Sequence, residues 1–260
     1  MQIPLLTGIF TDNQADFRAN YPRNMIPIAL DQGISTGYLR PADGIIANGE
    51  GPGINRGGIL WEGEIYRVMG TDFVSVAQDG TVTTIGTIPG TSRVTMTYSF
   101  DKLAIVAEPN AYLYDGTTLT QITDPDLGSV KDGIWIDGYF MFIDDEFIIV
   151  TELTDPFAID PLKYGSSEAD PDPLKSLVKI RNEAYVINRH TTEIFDNIGT
   201  TGFPFQRIDG AQIMKGTFGP HTACMFIDAV AMLGSGRNEA PAVWLAANGQ
   251  AAKISTMDID

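Results

Sequence analysis

Short runs in which apolar and polar residues alternate dominate the chain, and Gly, Asp and Asn separate them. Thr, Val, Ile, Tyr and Phe fill these runs, and no apolar stripe with helical spacing is sustained over the length of a helix. Alternation with a period of two in β-branched and aromatic runs is typical of strands, and the breaks are typical of hairpin turns. The pattern therefore predicts an all-β protein built from hairpins.

These hairpins recur at a regular distance. The phrase QDGTVTTI (78–85) returns as YDGTTLTQI (114–122), which places the two Asp-Gly pairs 36 residues apart. Paired hairpins are predicted five times, over 56–86, 93–122, 131–150, 176–208 and 221–254. Equivalent points lie 38, 36, 46 and 45 residues apart, at Ile65, Leu103, Tyr139, Tyr185 and Val230.

Four strands in a period of about 40 residues are typical of a β-propeller, with one four-stranded antiparallel blade per repeat. One such sheet has two apolar faces, and stacking the blades covers them. A β-sandwich also contains many short strands, but it does not account for the paired-hairpin period. Strands are predicted to turn at Glu62-Gly63, and two-residue turns with positive φ at both positions are predicted at the Asp-Gly and Asn-Gly pairs, namely Asp79-Gly80, Asp115-Gly116, Asp137-Gly138 and Asn248-Gly249.

Two segments do not follow the repeat. Residues 1–44 contain four prolines and little alternation, which predicts an extended N-terminal arm ahead of a propeller domain at 45–260. Residues 154–175 contain four more prolines and are predicted to project as a loop. Aromatic and charged side chains of both segments are the predicted interaction residues: Phe17, Tyr21, Tyr38, Arg40, Phe157, Tyr164, Asp170 and Asp172.

The charge balance restricts the partners. The 260 residues contain 17 Lys and Arg against 33 Asp and Glu, a formal net charge of −16. An acidic surface of this kind does not favour binding to nucleic-acid phosphates or to anionic lipid. It is compatible with a protein that encloses DNA without binding it specifically. The sequence also shows no apolar run of the roughly 18 residues that a membrane helix needs, and its start does not resemble a signal peptide. No membrane anchor is predicted.

The sequence motifs of common active sites are missing. One cysteine, Cys224, and two histidines, His190 and His221, are too few for an internal disulfide or a structural zinc site. Phosphate-loop, dinucleotide-binding and sialidase-type Asp-box motifs are absent. Glu168, Asp170 and Asp172 alternate as calcium ligands do, but acidic loops are more often simply solvated. The sequence predicts no catalytic residue, no cofactor and no metal.

Seven short motifs, in this order along the chain, are similar to those of the phage stabilisation proteins, the packaged-DNA stabilisation family of short-tailed phages. They are GYLRPADGI (37–45), INRGG (54–58), IYRVMG (65–70), ADPDP (169–173), TEIFDNIG (192–199), PFQRIDGA (204–211) and KIST (253–256). Members of this family are longer, which leaves open whether a ring of blades closes within these 260 residues.

The resemblance implies a non-enzymatic role in the tail hub, or nozzle, of the virion, with the host cytoplasm as the place of assembly. Family members form a ring of copies, hexameric in the best-known cases, below the portal and its adaptor ring. They help to hold packaged DNA and carry the tailspike and the tail needle. The arm at 1–44 and the loop at 154–175 are predicted to contact neighbouring subunits or the adaptor. The alternatives are a carbohydrate-binding or sialidase-like propeller enzyme of a phage tail, and a protein-binding propeller of cellular origin.

Overall fold

A computed structural model of the chain describes residues 24–29 and 37–255. These residues belong to two units that divide between Asn48 and Gly49. In the first unit, β1 (Met25–Ala29) and β2 (Gly37–Pro41) pair as an antiparallel hairpin. The described part of the predicted arm is thus a two-stranded ribbon, and the predicted contact residues Phe17 and Tyr21 lie outside the described residues.

The second unit consists of five four-stranded antiparallel sheets, here called blades 1 to 5. Blade 1 contains β3 (Asn55–Trp61), β4 (Glu64–Met69), β5 (Asp72–Val76) and β6 (Val82–Thr87). Blade 2 contains β7 (Thr95–Tyr98), β8 (Leu103–Ala107), β9 (Asn110–Tyr114) and β10 (Leu119–Gln121). Blade 3 contains β11 (Asp132–Ile136), β12 (Tyr139–Ile143), β13 (Phe147–Val150) and β14 (Gly165–Ser166).

Blade 4 contains β15 (Leu174–Ile180), β16 (Glu183–Asn188), β17 (Thr192–Asn197) and β18 (Phe205–Arg207). Blade 5 contains β19 (Ala223–Phe226), β20 (Ala229–Gly234), β21 (Ala242–Ala247) and β22 (Gln250–Lys253). The described helices are three single 3₁₀ turns, at Pro125–Leu127, Pro161–Lys163 and Pro220–Thr222. The prediction of a β-propeller with four-stranded blades is confirmed, and the five equivalent points all lie in the second strand of a blade.

The core lies between the blades in four apolar layers, one between each consecutive pair. Middle blades are covered on both faces, so their strands are apolar at nearly every position, as in YFMFI of β12 and FIIV of β13. The first strand of each blade packs against the first strand of the next, from β3 through β19. The ring is not closed between blade 5 and blade 1.

Three of the predicted turns have the geometry of a two-residue hairpin turn. Both residues of Glu62-Gly63, Asp137-Gly138 and Asn248-Gly249 have positive φ. The prediction is wrong for Asp79-Gly80 and for Asp115-Gly116, where only the glycine has positive φ. There the Asp79 carboxylate accepts the Thr81 N–H at 2.9 Å, and this local hydrogen bond stabilises a longer turn.

Blade 3 takes its outer strand from the segment 154–175. Gly165 and Ser166 form the two-residue strand β14 and pair with β13. The ring of Phe203 lies directly against the Cα of Gly165, where any Cβ would collide with it. Part of this proline-rich segment is therefore built into the sheet.

Candidate interaction surfaces and the axial end of the blades

The predicted contact residues of the first unit are accessible to solvent. Tyr38 lies on β2 opposite Ile28, and half of its side chain is exposed. Arg40, two positions further along the same strand, forms an exposed ion pair with Asp43 at 3.2 Å. Surface pairs of this kind contribute little to stability, so both side chains remain available to a partner.

The two predicted aromatic residues of the 154–175 segment have internal contacts. Phe157 and Tyr164 are half-buried and pack on the apolar layer between blades 2 and 3. The Tyr164 hydroxyl also donates a hydrogen bond to the carbonyl of Asp126. These contacts fix the segment onto the blades, and Leu162 is the large apolar side chain that it exposes most.

The two predicted acidic residues connect this segment to blades 4 and 5. Asp170 forms an ion pair with Arg237 at 2.8 Å, in the loop between β20 and β21. Asp172 accepts the His190 N–H at 2.5 Å and the Thr191 hydroxyl at 3.0 Å. Among the described residues, no group of three or more His, Cys, Asp or Glu is arranged to hold a metal ion.

A buried carboxylate, Glu193 on β17, holds the neighbouring part of the same segment. Its Oε1 accepts the Ser167 hydroxyl at 2.6 Å and the Ala169 N–H at 2.9 Å, and its Oε2 pairs with Arg207 at 3.2 Å. Asn188 donates to the same Ser167 at 2.7 Å. Glu193 has no exposed surface, and the hydrogen bonds and the ion pair offset the free-energy cost of burying its carboxylate.

Blades 2 to 5 meet at what we call the axial end, where the first strands β7, β11 and β15 and the 3₁₀ turn before β19 begin. Asp132, the first residue of β11, accepts the Leu177 N–H at 2.9 Å and the Ser176 hydroxyl at 2.8 Å, both on β15. The Ser176 oxygen also lies 3.5 Å from the carbonyl oxygen of Pro220. Burial of the Asp132 carboxylate raises its pKa to about 6, although its hydrogen bonds favour the charged form.

Blade 1 is fastened by a buried arginine. The guanidinium of Arg56 donates to four carbonyl oxygens, those of Ser92 at 2.7 Å, Ile88 at 2.7 Å, Gly70 at 3.1 Å and Pro89 at 3.2 Å. Arg56 sits at a β-bulge in β3, which turns its side chain off the regular alternation. Burial lowers the pKa of this guanidinium.

Sequence reasoning did not single out Asp132, Glu193 or Arg56. Arg56 lies in the motif INRGG and Glu193 in the motif TEIFDNIG. A charged residue among the apolar residues of a strand could have indicated that these side chains are buried. Such a pattern indicates that a buried partner exists, but it does not identify the partner, because hydrogen-bonded residues such as Asp132 and Leu177 lie up to 45 residues apart in sequence.

A groove between blades 2 and 3 is the candidate for the carbohydrate-binding alternative. It has a volume of about 450 Å³ and includes Phe100, Trp135, Asp137 and Glu152. The exposed Phe100 ring meets Trp135 edge to face at 5.1 Å, and the Lys179 ammonium lies 4.8 Å from the centre of the Trp135 ring. Lys179 thus covers one face of the Trp135 ring.

Comparison with known proteins agrees with this architecture. The family model described as "Bacteriophage P22 Gp10, beta-propeller" matches residues 1–260. The chain belongs to the phage stabilisation family. Its described residues contain no helix with the length and apolarity needed to cross a membrane.

One curated relative of this family member is the tail hub protein gp10 of Salmonella phage P22. The two are 26% identical over 281 residues, covering 100% of this chain and 58% of the relative. The chain therefore spans less than two thirds of the length of that protein.

Solved structures share the fold at low sequence identity. The extracellular domain of BT4673 from B. thetaiotaomicron has a TM-score of 0.55 at 11% identity, covering 79% of this chain and 28% of its own. PorZ, a surface component of the type-IX secretion system of Porphyromonas gingivalis, has a TM-score of 0.50 at 12% identity, covering 76% and 28%. At these identities the likeness supports the arrangement of the strands alone.

Proposed function

We propose that this phage stabilisation protein is a non-enzymatic structural component of a phage tail, at the connection between head and tail. Copies of it form a ring that helps to close the portal channel and stabilise packaged DNA. The observation that carries the proposal is the match of the family model to the whole chain, together with a relative that is a tail hub protein. Blades that share continuous apolar layers suit a part that must resist the pressure of packed DNA.

Assembly into a ring is supported by the apolar faces at the two ends of the blade series. The face of blade 5 that points away from blade 4 is mostly apolar, with Gln250 as an exposed polar residue on it, and its Phe226, Leu233 and Ile254 are about half exposed. The outward face of blade 1 exposes Leu60 and Ile65, which pair across β3 and β4. Apolar faces of this kind on a folded protein mark contact sites.

Within the chain, the face of each blade that points toward the next blade packs on the facing side of that next blade. The free face of blade 5 and the free face of blade 1 correspond to these two sides. Blade 5 of one copy therefore fits blade 1 of the next copy, which is a head-to-tail contact and gives a closed ring when the rotation is right. Six copies are expected from the family resemblance.

Light scattering after size-exclusion chromatography tests the ring. We expect the wild-type protein to assemble with rising concentration, and Phe226→Glu and Leu233→Glu to remain smaller, because a charge on a buried apolar face is costly. Ile198→Glu is the matched control, since Ile198 is half exposed on a loop of blade 4. A wild-type protein that stays monomeric at every concentration contradicts the proposed ring.

The partners proposed for this ring are the portal adaptor ring, the tailspike and the tail needle. The exposed Tyr38 and Arg40 are the proposed adaptor contacts of the first unit, and the 154–175 segment provides those of the blades. Electron microscopy of the protein mixed with its adaptor ring tests this, with Tyr38→Ala and Arg40→Ala expected to reduce the decorated fraction. Full decoration by both variants contradicts the assignment.

The acidic composition supports a channel wall that lets DNA slide. Since like charges repel, the isolated protein is expected not to retard duplex DNA at physiological salt. A salt-sensitive gel shift at submicromolar protein contradicts this part of the proposal.

A further inference from the structure

A cavity of about 340 Å³ opens at the axial end, where the ring of blades is not closed. Blade 1, the start of blade 2 and the 3₁₀ turn before blade 5 surround it. Its lining is Asn55, Arg56, Gly57, Gly58, Arg93, Val94, Thr95, Met96, Pro220, His221 and Ala223.

The ionisable residues that line this cavity are all basic ones, namely Arg56, Arg93 and His221. Arg56 is surrounded by carbonyl dipoles, and no carboxylate pairs with it among the described residues. Arg93 is exposed and likewise has no ion pair with a described acidic residue. Two guanidinium groups without a carboxylate partner among the described residues, in a chain of net charge −16, make this cavity a local site of positive potential.

His221 is held at the edge of the cavity by a hydrogen bond from its ring to the backbone carbonyl of Arg93. Burial and the positive charge of Arg93 lower the pKa of the imidazole, so the ring is neutral at pH 7. A neutral imidazole that donates through one nitrogen keeps the other nitrogen unprotonated. An anion placed beside it favours uptake of a proton there, which supplies a second N–H donor.

We propose that this cavity binds a phosphate group between Arg93 and His221. The planar fork of an arginine matches the oxygens of a phosphate, and the doubly positive surroundings favour a dianion over a single carboxylate. The volume admits a phosphate group and its immediate neighbours and does not admit a double helix. Phosphate binding at this site therefore does not depend on the proposed passage of DNA through the ring, and its test is independent of that proposal.

Isothermal titration with inorganic phosphate at pH 7 tests the proposal. Saturable binding by the wild type is expected, with an affinity at least about tenfold weaker for Arg93→Gln because the charged fork is lost. Arg181→Gln is the matched control, since Arg181 is an exposed arginine at the opposite end of a first strand. Equal binding by wild type and Arg93→Gln, equal losses in the two variants, or no wild-type binding at about 10 mM phosphate would each overturn the proposal.

Titration in two buffers with different ionisation enthalpies tests the role of His221. Phosphate itself ionises near pH 7, so selection of its dianion releases protons in every variant, and the difference between two proteins reports on the imidazole. The wild type is expected to release fewer protons on binding than His221→Gln, because its imidazole takes one up, and His221→Gln is expected to bind more weakly. An equal number of protons exchanged by the two proteins overturns this assignment.

A 5′-phosphorylated single-stranded oligonucleotide and its unphosphorylated twin distinguish the source of the phosphate. Competition by the phosphorylated strand alone identifies a strand end as a ligand, and competition by neither identifies free phosphate. Equal competition by both strands contradicts a site for one phosphate group, because the internal backbone is what they share.

Discussion

The backbone N–H of Leu177 in blade 4 donates a hydrogen bond to Oδ2 of Asp132 in blade 3, 2.9 Å away and 45 residues earlier in the chain. The same oxygen accepts the Ser176 hydroxyl, and the other carboxylate oxygen accepts the N–H of Gly133. One fully buried carboxylate therefore aligns the first strands of two consecutive blades. Two expectations follow from this hydrogen bond, one for the stability of the blades and one for how that stability depends on pH.

Replacing Asp132 should destabilise the blades markedly. Asp132→Ala leaves the Leu177 N–H and the Ser176 hydroxyl buried without an acceptor, and we expect a loss of about 2–4 kcal/mol in the free energy of unfolding. Asp132→Asn keeps one acceptor oxygen and should cost less. Urea denaturation measures both variants. Glu146→Ala is the control, since Glu146 is an exposed acid in the turn between β12 and β13, and it should change the stability by less than about 0.5 kcal/mol. A loss for Asp132→Ala no larger than that of the control would show that the inter-blade bond is unimportant.

The stability of the blades should also depend on pH through Asp132. Its folded pKa of about 6 lies above the ordinary value of 3.8, so the folded state holds the proton more tightly than the unfolded chain. The resulting stability is full below about pH 4 and is lost as the pH rises through about 6.

Between pH 4 and pH 7, the wild type should therefore lose up to about 3 kcal/mol relative to Asp132→Asn. The difference from Asp132→Asn isolates this carboxyl from others, such as Asp145, whose pKa is lowered by Lys131 and Lys175. Parallel stability curves for the two proteins over this range would refute the assignment.

Arg56 should be essential to blade 1. Arg56→Lys removes the planar fork that reaches four carbonyl oxygens, and we expect a loss of about 2–4 kcal/mol in the free energy of unfolding, because the side chain of Arg56 and the Ile88 carbonyl are buried and a lysine cannot reach all four oxygens. Thermal and urea unfolding measure it. Arg67→Ala is the matched control on the neighbouring strand and should change the stability by less than about 1 kcal/mol. Equal effects of the two substitutions would contradict a special role for Arg56.

Glu193 should hold the 154–175 segment against proteolysis. Glu193→Ala releases Ser167, Ala169 and Arg207, so the segment opens more often and trypsin should cleave after Lys163 at least about tenfold faster. Asp196→Ala, on the same strand but exposed, should leave the rate unchanged. Mass spectrometry of the first cleavage product provides the measurement, and an unchanged rate in Glu193→Ala would show that other contacts hold the segment.

Deletion of residues 1–44 should leave the blades folded. All four apolar layers are built from residues 59 onward, so the unfolding transition of 45–260 should keep its midpoint while assembly weakens. Circular dichroism and light scattering provide the two measurements. Loss of the folded state on deletion would mean that the arm is part of the blade core.

Much of the fold was predictable because the blades are defined locally. Each hairpin pair carries its own alternation and its own turn residues, and Asn248-Gly249 adopts the turn that its dipeptide favours. The strand β14 was not predictable, since two residues show no alternation. It exists because Gly165 lets Phe203 pack against its backbone while β13 provides an edge to pair with.

Some of the predicted interaction residues are exposed and others pack against the blades, and the sequence did not show which would be which. Tyr38 and Arg40 are accessible, whereas Phe157 and Tyr164 are half-buried against the layer between blades 2 and 3. Asp170 and Asp172, which resembled a solvated acidic loop, pair with Arg237 and with the turn at His190. Composition indicates that a segment is polar, but it does not indicate which strands lie beside it.

The sequence by itself determined the all-β class, the grouping into five blades and the strands other than β14, because alternation and turn chemistry act between residues near one another in the chain. Only the tertiary structure decided that Asp132, Glu193 and Arg56 are buried and which groups satisfy them. Alternation shows on which side of a strand a residue lies, whereas the group that faces it belongs to another blade or loop and is set by how the sheets stack.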